Sequence, residues 1–178
     1  MLSPRYNPSL PPRFYEMDEY AFEEMCQDLF AKESGIATCN TYGVRGQLQS
    51  GIDLLAHCDD VKFTEVGQCK CYKDFPPKKI REASDVFLKY LGLWQQRNVR
   101  RFILFVACEL ETTERQDEIY SQIQRFAKYN IKYEVWEART LRQKLAPHPE
   151  IVYRYLQSQD LVELICGLQP QHTSRSSD

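Results

Sequence analysis

The chain of 178 residues is 43% hydrophobic and 27% charged, a balance typical of a soluble globular domain with its own core. No run of about 18 apolar residues occurs, which argues against a membrane span and a membrane partner. The first residues lack the apolar segment of a secretory signal, and the seven cysteines form an odd, scattered set. We therefore expect reduced thiols in a cytoplasmic protein.

The overall charge does not indicate nucleic-acid binding, because the net charge is −2 and the isoelectric point is about 6.0. The distribution of charge is more informative. Segment 70–81 holds five basic residues and one acid, Asp74, and a second basic cluster follows at Arg97, Arg100 and Arg101. A basic stripe can neutralise several phosphates even on a slightly acidic domain. A solvated loop and helix end would have the same composition.

The N-terminal part predicts an arm, a helix and a strand. Residues 1–16 form an irregular arm, since they include four prolines and little periodic hydrophobicity. A helix is predicted from about Met17 to Lys32, with Asp18 as a possible N-cap and apolar residues at three- and four-residue steps. A short strand at 36–41 leads into the loop 42–51, which holds three glycines and no acid.

The rest of the chain alternates strands and helices. Strands are predicted at 52–57, 64–71, 102–107 and 131–136, and helices at 79–96, 113–129, 140–145 and 150–166. Strands joined through helices indicate an α/β fold with a central mixed sheet flanked by helices on both faces, and the strands at 52–57 and 64–71 should form an antiparallel hairpin. The folded domain would span 17–168, followed by a polar tail or linker at 169–178.

Two tripeptides carry the chemistry. Gly51-Ile52-Asp53 opens one predicted strand and Gln68-Cys69-Lys70 closes the next, with fourteen residues between Asp53 and Gln68. Side chains alternate along a strand, so Gln68 and Lys70 should share a polar face while Cys69 and Cys71 face the core. A carboxylate, an amide oxygen and an ammonium on adjacent strands can hold a divalent cation beside a phosphate. The pattern predicts a metal-dependent nuclease.

These features together resemble a known family. The helix with Phe22-Glu23, the two tripeptide strands and the β–α–β unit after them are similar, over roughly residues 17–145, to the Mrr-like branch of the PD-(D/E)XK nuclease superfamily. In that branch a glutamine commonly replaces the second acid of the motif. The loop before Gly51 also resembles that of nuclease domains at the N-terminus of bacterial antiviral STAND NTPases.

The resemblance implies a restriction-endonuclease-like core and a DNA endonuclease, the effector of a bacterial antiphage defence or restriction protein. Asp53 would be the central metal ligand, Gln68 would supply its amide oxygen and the carbonyl of Cys69 would be a further ligand. Lys70 would orient or activate the attacking water. The implied cofactor is Mg²⁺, for which Mn²⁺ would substitute. The implied partners are double-stranded DNA and either further copies of the chain or a fused NTPase or sensor.

Glu23 would match the catalytic, metal-binding glutamate on the first helix of the family, with Glu24 as the alternative. A solvated, acidic helix face explains both residues equally well. Candidate nucleic-acid contacts lie in the loop before Gly51 and in the basic segment: Arg45, Gln49, Lys73, Lys78 and Lys79. Glycines would let the loop approach a phosphate closely, or would merely permit a tight connection.

Other functions stay open at this point. Gln68 in place of an acid removes one anionic ligand, which is compatible with a catalytically inactive nuclease-fold module for nucleic-acid binding or assembly. A junction resolvase or an RNA-directed nuclease is a third hypothesis. A zinc site at Cys69 and Cys71 is disfavoured, because their spacing is not that of a CxxC pair.

Overall fold

A computed structural model of the chain describes residues 11–44, 47 and 49–167. Within this part the strands are β1 (Ile36–Thr41), β2 (Leu54–Cys58), β3 (Thr64–Lys70), β4 (Val99–Val106) and β5 (Lys132–Trp136). The α-helices are α1 (Glu19–Ala31), α2 (Pro77–Lys89), α3 (Leu91–Gln96), α4 (Thr113–Ala127), α5 (Ala138–Leu145), α6 (Pro149–Leu156) and α7 (Gln159–Cys166). None of the helices in these ranges is long and apolar enough to cross a membrane.

The strands form one mixed sheet in the order β1-β2-β3-β4-β5. β2 is antiparallel to both β1 and β3, whereas β4 is parallel to both β3 and β5. The parallel strands are connected through α2 and α3 and through α4, because a parallel neighbour requires a long crossover. The predicted α/β fold with a mixed sheet, and its hairpin of β2 and β3, are confirmed.

Hydrophobic side chains fill both faces of the sheet. One core lies beneath α1, α5, α6 and α7 and includes Phe22 and Phe105. The other lies beneath α2, α3 and α4 and includes Phe87 and Phe102, whose ring centroids are 4.8 Å apart. β4 supplies both cores because successive side chains of a strand point to opposite faces. A strand that is buried on both faces has a continuous run of apolar residues, and this pattern predicted the buried strand at 102–107.

The predicted helix 79–96 is two helices. It begins earlier, with Pro77 in the first turn of α2, a position where the missing N–H of proline costs no hydrogen bond. The helix breaks at Tyr90, whose ψ of 21° lies outside the helical range. After the break, α3 directs Trp94 into the core, where it is fully buried. Helical periodicity continues across the break, which is why the sequence pattern does not reveal it.

The predicted helix 150–166 is also divided. Gln157 ends α6 with a left-handed backbone, at a φ of 48°. Ser158 then starts α7, because its side chain accepts a hydrogen bond from the N–H of Leu161. Such a serine satisfies one of the donors that a helix N-terminus leaves without a partner.

Part of the predicted arm 1–16 belongs to the folded domain. Phe14–Glu16 form a 3-10 helix, and the Phe14 ring is fully buried in the core beneath α1. A single apolar residue beside prolines has no periodicity, so the sequence pattern gave no sign of this burial. Asp18 caps α1 as predicted, accepting hydrogen bonds from the N–H groups of Tyr20 and Ala21 at 2.9 and 3.2 Å. Residues 1–10 and the predicted tail lie outside the described residues.

Two of the three arginines of the second basic cluster are engaged in ion pairs within the fold. Arg101 is only 13% exposed and pairs with three acids, and Arg100 pairs with one of the same acids at 3.0 Å. These ion pairs join the end of α1 to β3, β4 and β5 through Glu33, Glu65 and Glu134. The third arginine, Arg97, is exposed and lies over the rings of Tyr42 and Trp94.

Candidate active site

Four of the five predicted catalytic and metal-binding residues line one cavity at the end of β3. The cavity has a volume of about 540 Å³ and opens between the first turns of α1, the end of β3 and the loop before β2. Glu23, Asp53, Cys69 and Lys70 line it. The fold therefore brings the helical glutamate and both tripeptides to one place, although they are far apart in the sequence.

Asp53 precedes β2 directly and is fixed to β3 by two hydrogen bonds. Its backbone N–H donates to the carbonyl of Gly67 at 2.8 Å, and its carboxylate Oδ2 accepts the backbone N–H of Cys69 at 2.7 Å. Leu54 pairs with Gly67 across the hairpin, so Asp53 stands opposite Gln68. In a strand the N–H and C=O of one residue point to the same side. The Cys69 carbonyl therefore also points toward the side of Asp53.

The electrostatics of Asp53 favour a positively charged ligand. Burial raises the pKa of its carboxyl above the ordinary value of 3.8, because the half-buried carboxylate has lost much of its hydration. The Cys69 N–H and the charge of Lys70 lower the pKa, but burial is the larger cause. A cation beside Asp53 would supply the stabilisation that water no longer gives.

The turn before Asp53 is held rigidly against α2 and α3. Gly51 has a φ of +83°, and a Cβ at this position would lie 2.7 Å from the backbone nitrogen of Phe87. Only glycine fits there, because both the backbone conformation and the space exclude a side chain. Ser50 also has a positive φ, 52°, and its carbonyl accepts the Trp94 Nε1–H at 3.1 Å. The packing of this turn determines where Asp53 enters the sheet.

Gln49, a predicted nucleic-acid contact, lines the cavity but its amide has a structural partner. Its Nε2 donates to the carbonyl of Tyr42 at 3.0 Å, and the N–H of Tyr42 donates to the carbonyl of Asp53 at 2.7 Å. These two hydrogen bonds join the beginning of the loop, at Tyr42, to its end beside the candidate catalytic residue Asp53. Arg45, the predicted phosphate contact of this loop, lies outside the described residues.

The wall opposite Asp53 is the first part of α1. Glu23 and Glu24 both line the cavity, and Glu23 is half-buried whereas Glu24 is exposed. The pKa of the Cys69 thiol is raised by burial first, then by its neighbour Cys26, then by the charges of Asp53 and Glu23. The charges of both carboxylates therefore act on the same thiol. This shared neighbour favours Glu23 over Glu24 as the partner of Asp53.

Gln68 departs from the predicted arrangement, because it is buried beside the cavity and does not line it. It is 6% exposed and shares a face of β3 with Val66, which belongs to the core beneath α2. Among the described residues, Gln68 Oε1 is the one buried side-chain oxygen or nitrogen without a hydrogen-bond partner. An unsatisfied buried acceptor costs about 1–3 kcal/mol. Gln68 Oε1 is therefore a buried acceptor that is available to a ligand.

Cys69 at the end of β3 and Cys71 just after it pack against the core beneath α1, as predicted. Both residues also line the cavity. Cys71 Sγ lies 3.6 Å from the carbonyl oxygens of Phe14 and Met17, to which it donates. These contacts join the end of β3 to the segment before α1 and so help to fix the two walls of the cavity. All seven cysteines are free thiols.

The predicted contacts of the basic segment, Lys73, Lys78 and Lys79, lie outside the lining of the cavity. Lys73 is exposed in the segment after β3. Lys78 and Lys79, in the first turn of α2, both approach Glu82, with nitrogen–oxygen distances of 3.8 and 3.2 Å. Exposed pairs of this kind are weak, about 0–1 kcal/mol. The two lysines can therefore leave Glu82 and bind a phosphate with little loss of free energy.

The sequence prediction missed two tyrosines at the cavity, Tyr20 on α1 and Tyr72 after β3. Tyr72 stacks on Phe75, with ring centroids 6.1 Å apart and an angle of 12° between the planes. Nothing in the spacing of these residues marks them, because neither belongs to a periodic pattern. Only the position of Tyr72 next to the Gln68-Cys69-Lys70 motif could have drawn attention to it.

The donor set suits a hard cation better than zinc. In the described part of the chain no three His, Cys, Asp or Glu side chains come together as a metal-binding group. A cation here would be held by the carboxylates of Asp53 and Glu23, the Cys69 carbonyl, the amide oxygen of Gln68 and water. Such an all-oxygen set with few carboxylates is what Mg²⁺ uses, since it keeps several of its waters.

Comparison of the sequence with protein-family models finds no match, and comparison with curated proteins finds no match either.

Proposed function

We propose that the chain is a metal-dependent DNA endonuclease domain of the Mrr-like PD-(D/E)XK type, with a restriction-endonuclease-like core. One observation carries the proposal: the Asp53 carboxylate is bound to the N–H of Cys69 at 2.7 Å, in a cavity that Lys70 and Glu23 also line. An acid at the start of one strand and a lysine at the end of its hairpin partner can supply the metal ligand and the positive charge that phosphodiester hydrolysis uses.

Each residue has a role that follows from its position. Asp53 and Glu23 would hold Mg²⁺ from two walls of the cavity, together with the Cys69 carbonyl and the Gln68 amide oxygen. The unpaired Oε1 of Gln68 supports this assignment, because a buried acceptor without a partner is available to a ligand. When bound, the ion would neutralise charge on the phosphate and make water more acidic.

Among the described residues, Lys70 supplies the one ammonium in the lining of the cavity, beside four carboxylates from Glu19, Glu23, Glu24 and Asp53. Its charge would stabilise the phosphate oxygens and orient the attacking water by hydrogen bonding. The surplus of negative charge would repel DNA in the absence of a divalent cation. DNA binding at this cavity should therefore depend on Mg²⁺ or Mn²⁺.

The experiment is cleavage of supercoiled plasmid DNA in Mg²⁺. Wild type should cut, and Asp53→Ala and Lys70→Ala should each lose at least about 100-fold in rate, the scale for removal of an acid–base or charge-stabilising group. Asp59→Ala and Lys62→Ala are matched controls, because both residues are exposed in the β2–β3 turn. Equal cleavage by wild type, Asp53→Ala and Lys70→Ala would refute the assignment.

A second function is favoured by one observation, the absence of Gln68 from the lining of the cavity. If this side chain does not reach the ion, the fold would serve as a catalytically inactive module for nucleic-acid binding or assembly. Calorimetric titration with Mn²⁺ distinguishes the two functions. DNA binding by wild type without any Mn²⁺ binding would favour the inactive module.

We also propose that the domain acts in bacterial antiphage defence or restriction, as a homo-oligomer or fused to an NTPase or sensor. The resemblance of the loop before Gly51 supports this setting. Plaque assays on bacteria that express wild type or Asp53→Ala within the natural protein test it. Protection by wild type alone is the expected result, and equal plaque numbers would argue against a defence role.

A further inference from the structure

Three exposed apolar side chains gather at the mouth of the cavity. Tyr72 is 55% exposed, Val44 is 62% exposed and Tyr20 is 36% exposed, and all three line the same cavity as Asp53 and Lys70. They come from three separate segments: the chain after β3, the loop before β2 and the first turn of α1. An apolar rim above a floor of charged groups fits a ligand with an apolar part and an anionic part.

Tyr72 is the rigid member of this rim. One face of its ring stacks on Phe75, which is 1% exposed and belongs to the core beneath α2. The Phe75 carbonyl accepts the Nε–H of Arg115 at 3.1 Å, and the same arginine pairs with Asp74. The segment is thus held by α4, and the ring loses little conformational freedom when a ligand stacks on it.

The chemistry of the site identifies the ligand. Lys70, two residues before Tyr72, and the cation that Asp53 and Glu23 would hold both attract a phosphate. An aromatic ring presents a flat apolar face, and nucleobases of every type stack on such faces. Base pairs in a duplex are stacked on each other, so a ring beside the phosphate can reach a base only where pairing is broken.

We propose that Tyr72 is a stacking platform for an unpaired nucleobase next to the scissile phosphate. The inference rests on the proposed nuclease function and narrows its substrate. The preferred DNA would carry a single-stranded segment or a mismatch at the cut, in place of a continuous duplex. Val44 and Tyr20 would bound the base from the other sides.

The test is fluorescence binding with the intact protein in Ca²⁺. The probe is a short single-stranded oligodeoxynucleotide that carries one 2-aminopurine, and the same strand in a blunt duplex is the comparison. Wild type should bind the single strand more tightly and quench its emission. Tyr72→Leu should bind about tenfold more weakly without quenching, because leucine covers Phe75 but offers no aromatic face.

Two variants control for general effects. Tyr72→Phe keeps the ring and should bind like wild type. Tyr120→Leu removes a tyrosine that is 65% exposed on α4, outside the lining of the cavity, and should also leave binding unchanged. Thermal melting shows whether each variant is folded. Tyr72→Leu that binds and quenches like wild type would overturn the proposal, as would tighter binding of the blunt duplex than of the single strand.

Failure of this proposal and failure of the nuclease assignment give different results. Cleavage that depends on Asp53 but is the same in Tyr72→Leu and wild type, on single strands and on duplexes, would refute the stacking platform and leave the nuclease intact. Binding that depends on Tyr72, without Mg²⁺-dependent cleavage, would refute the nuclease and support the platform.

Discussion

Gly51→Ala should destabilise the protein more than any ordinary substitution in a loop. The new Cβ would lie 2.7 to 2.9 Å from three backbone atoms of Val86 and Phe87, which belong to α2 and cannot rotate away. Overpacking of this kind costs about 1–3 kcal/mol. The φ of +83° adds about 1–2 kcal/mol for a residue with a side chain. The sum, about 2–5 kcal/mol, is a large part of a typical stability of about 5–15 kcal/mol.

Gly92→Ala is the matched control, because a Cβ at Gly92 meets no atom within 4 Å and the residue lies in helix α3. Alanine in a helix is favoured over glycine by about 0.5–1 kcal/mol, so this variant should be slightly more stable than wild type. Urea unfolding followed by circular dichroism measures both free energies. The midpoint should fall for Gly51→Ala and rise slightly for Gly92→Ala, with the same slope in both.

The structure also links this perturbation to function. If the turn moves to admit the methyl group, Asp53 must move with it, because only one residue separates them. Gly51→Ala should therefore lose cleavage even at temperatures where it is fully folded. A Gly51→Ala protein within about 0.5 kcal/mol of wild type would refute the reasoning, since that is the range of substitutions without consequence.

The remaining predictions concern charge. Asp53→Asn should stabilise the fold at neutral pH. Because the pKa of the Asp53 carboxyl is raised in the folded protein, its contribution to stability is present below 3.8 and is lost as the pH rises through the raised value. The urea midpoints of wild type and Asp53→Asn should therefore converge in acid. Arg101→Ala should cost about 3–5 kcal/mol in urea unfolding, because it leaves three carboxylates together around a buried position; a cost below about 1 kcal/mol, as for exposed pairs, would contradict this. Burial raises the pKa of the Glu134 carboxyl, but Lys132 and Arg101 together lower it below the ordinary value of 4.5. The stability that this carboxylate contributes to wild type should be present above pH 4.5 and should be lost as the pH falls through the lowered pKa. Arg101→Ala should reduce this loss. Trp94→Phe should cost at least about 1 kcal/mol in the same assay, because it removes the hydrogen bond to the Ser50 carbonyl and places a smaller ring in a fully buried position; an unchanged midpoint would mean that this bond does not hold the turn.

The sheet could be predicted because its strands have simple patterns. The apolar run of β4 and the short turn between β2 and β3 depend on local sequence, so strand pairing followed from them. The same pairing placed Asp53 beside the end of β3, where the Cys69 N–H now binds it. The sequence could therefore predict that the two tripeptides lie side by side.

Other features depend on contacts between distant residues, which no local pattern reports. Phe14 is buried although it stands in a proline-rich segment, because α1 and β3 leave a space for it. Arg101 belongs to a basic cluster in the sequence, yet in the fold it pairs with three acids, Glu33, Glu65 and Glu134. Tyr72 is at the cavity because the chain turns after β3 and stacks it on Phe75.

Gln68 shows the limit of reasoning from alternation. Alternation predicts that Gln68 and Lys70 share one face of β3. The cavity, however, lies at the end of β3 and not over that face. Lys70 lines the cavity, whereas Gln68, two residues earlier, is buried next to it. Whether a strand residue reaches a site at the end of the sheet depends on how many residues separate it from that end.

The most direct test of the central claim is the nicking rate of supercoiled plasmid in Mg²⁺ by wild type and by Asp53→Asn. This variant keeps an oxygen that can accept the Cys69 N–H and should be at least as stable as wild type at neutral pH. Lost activity therefore cannot be attributed to lost folding. We expect wild type to nick the plasmid and Asp53→Asn to be slower by at least about 100-fold. Equal rates for the two proteins would contradict the claim that Asp53 is the centre of a nuclease site.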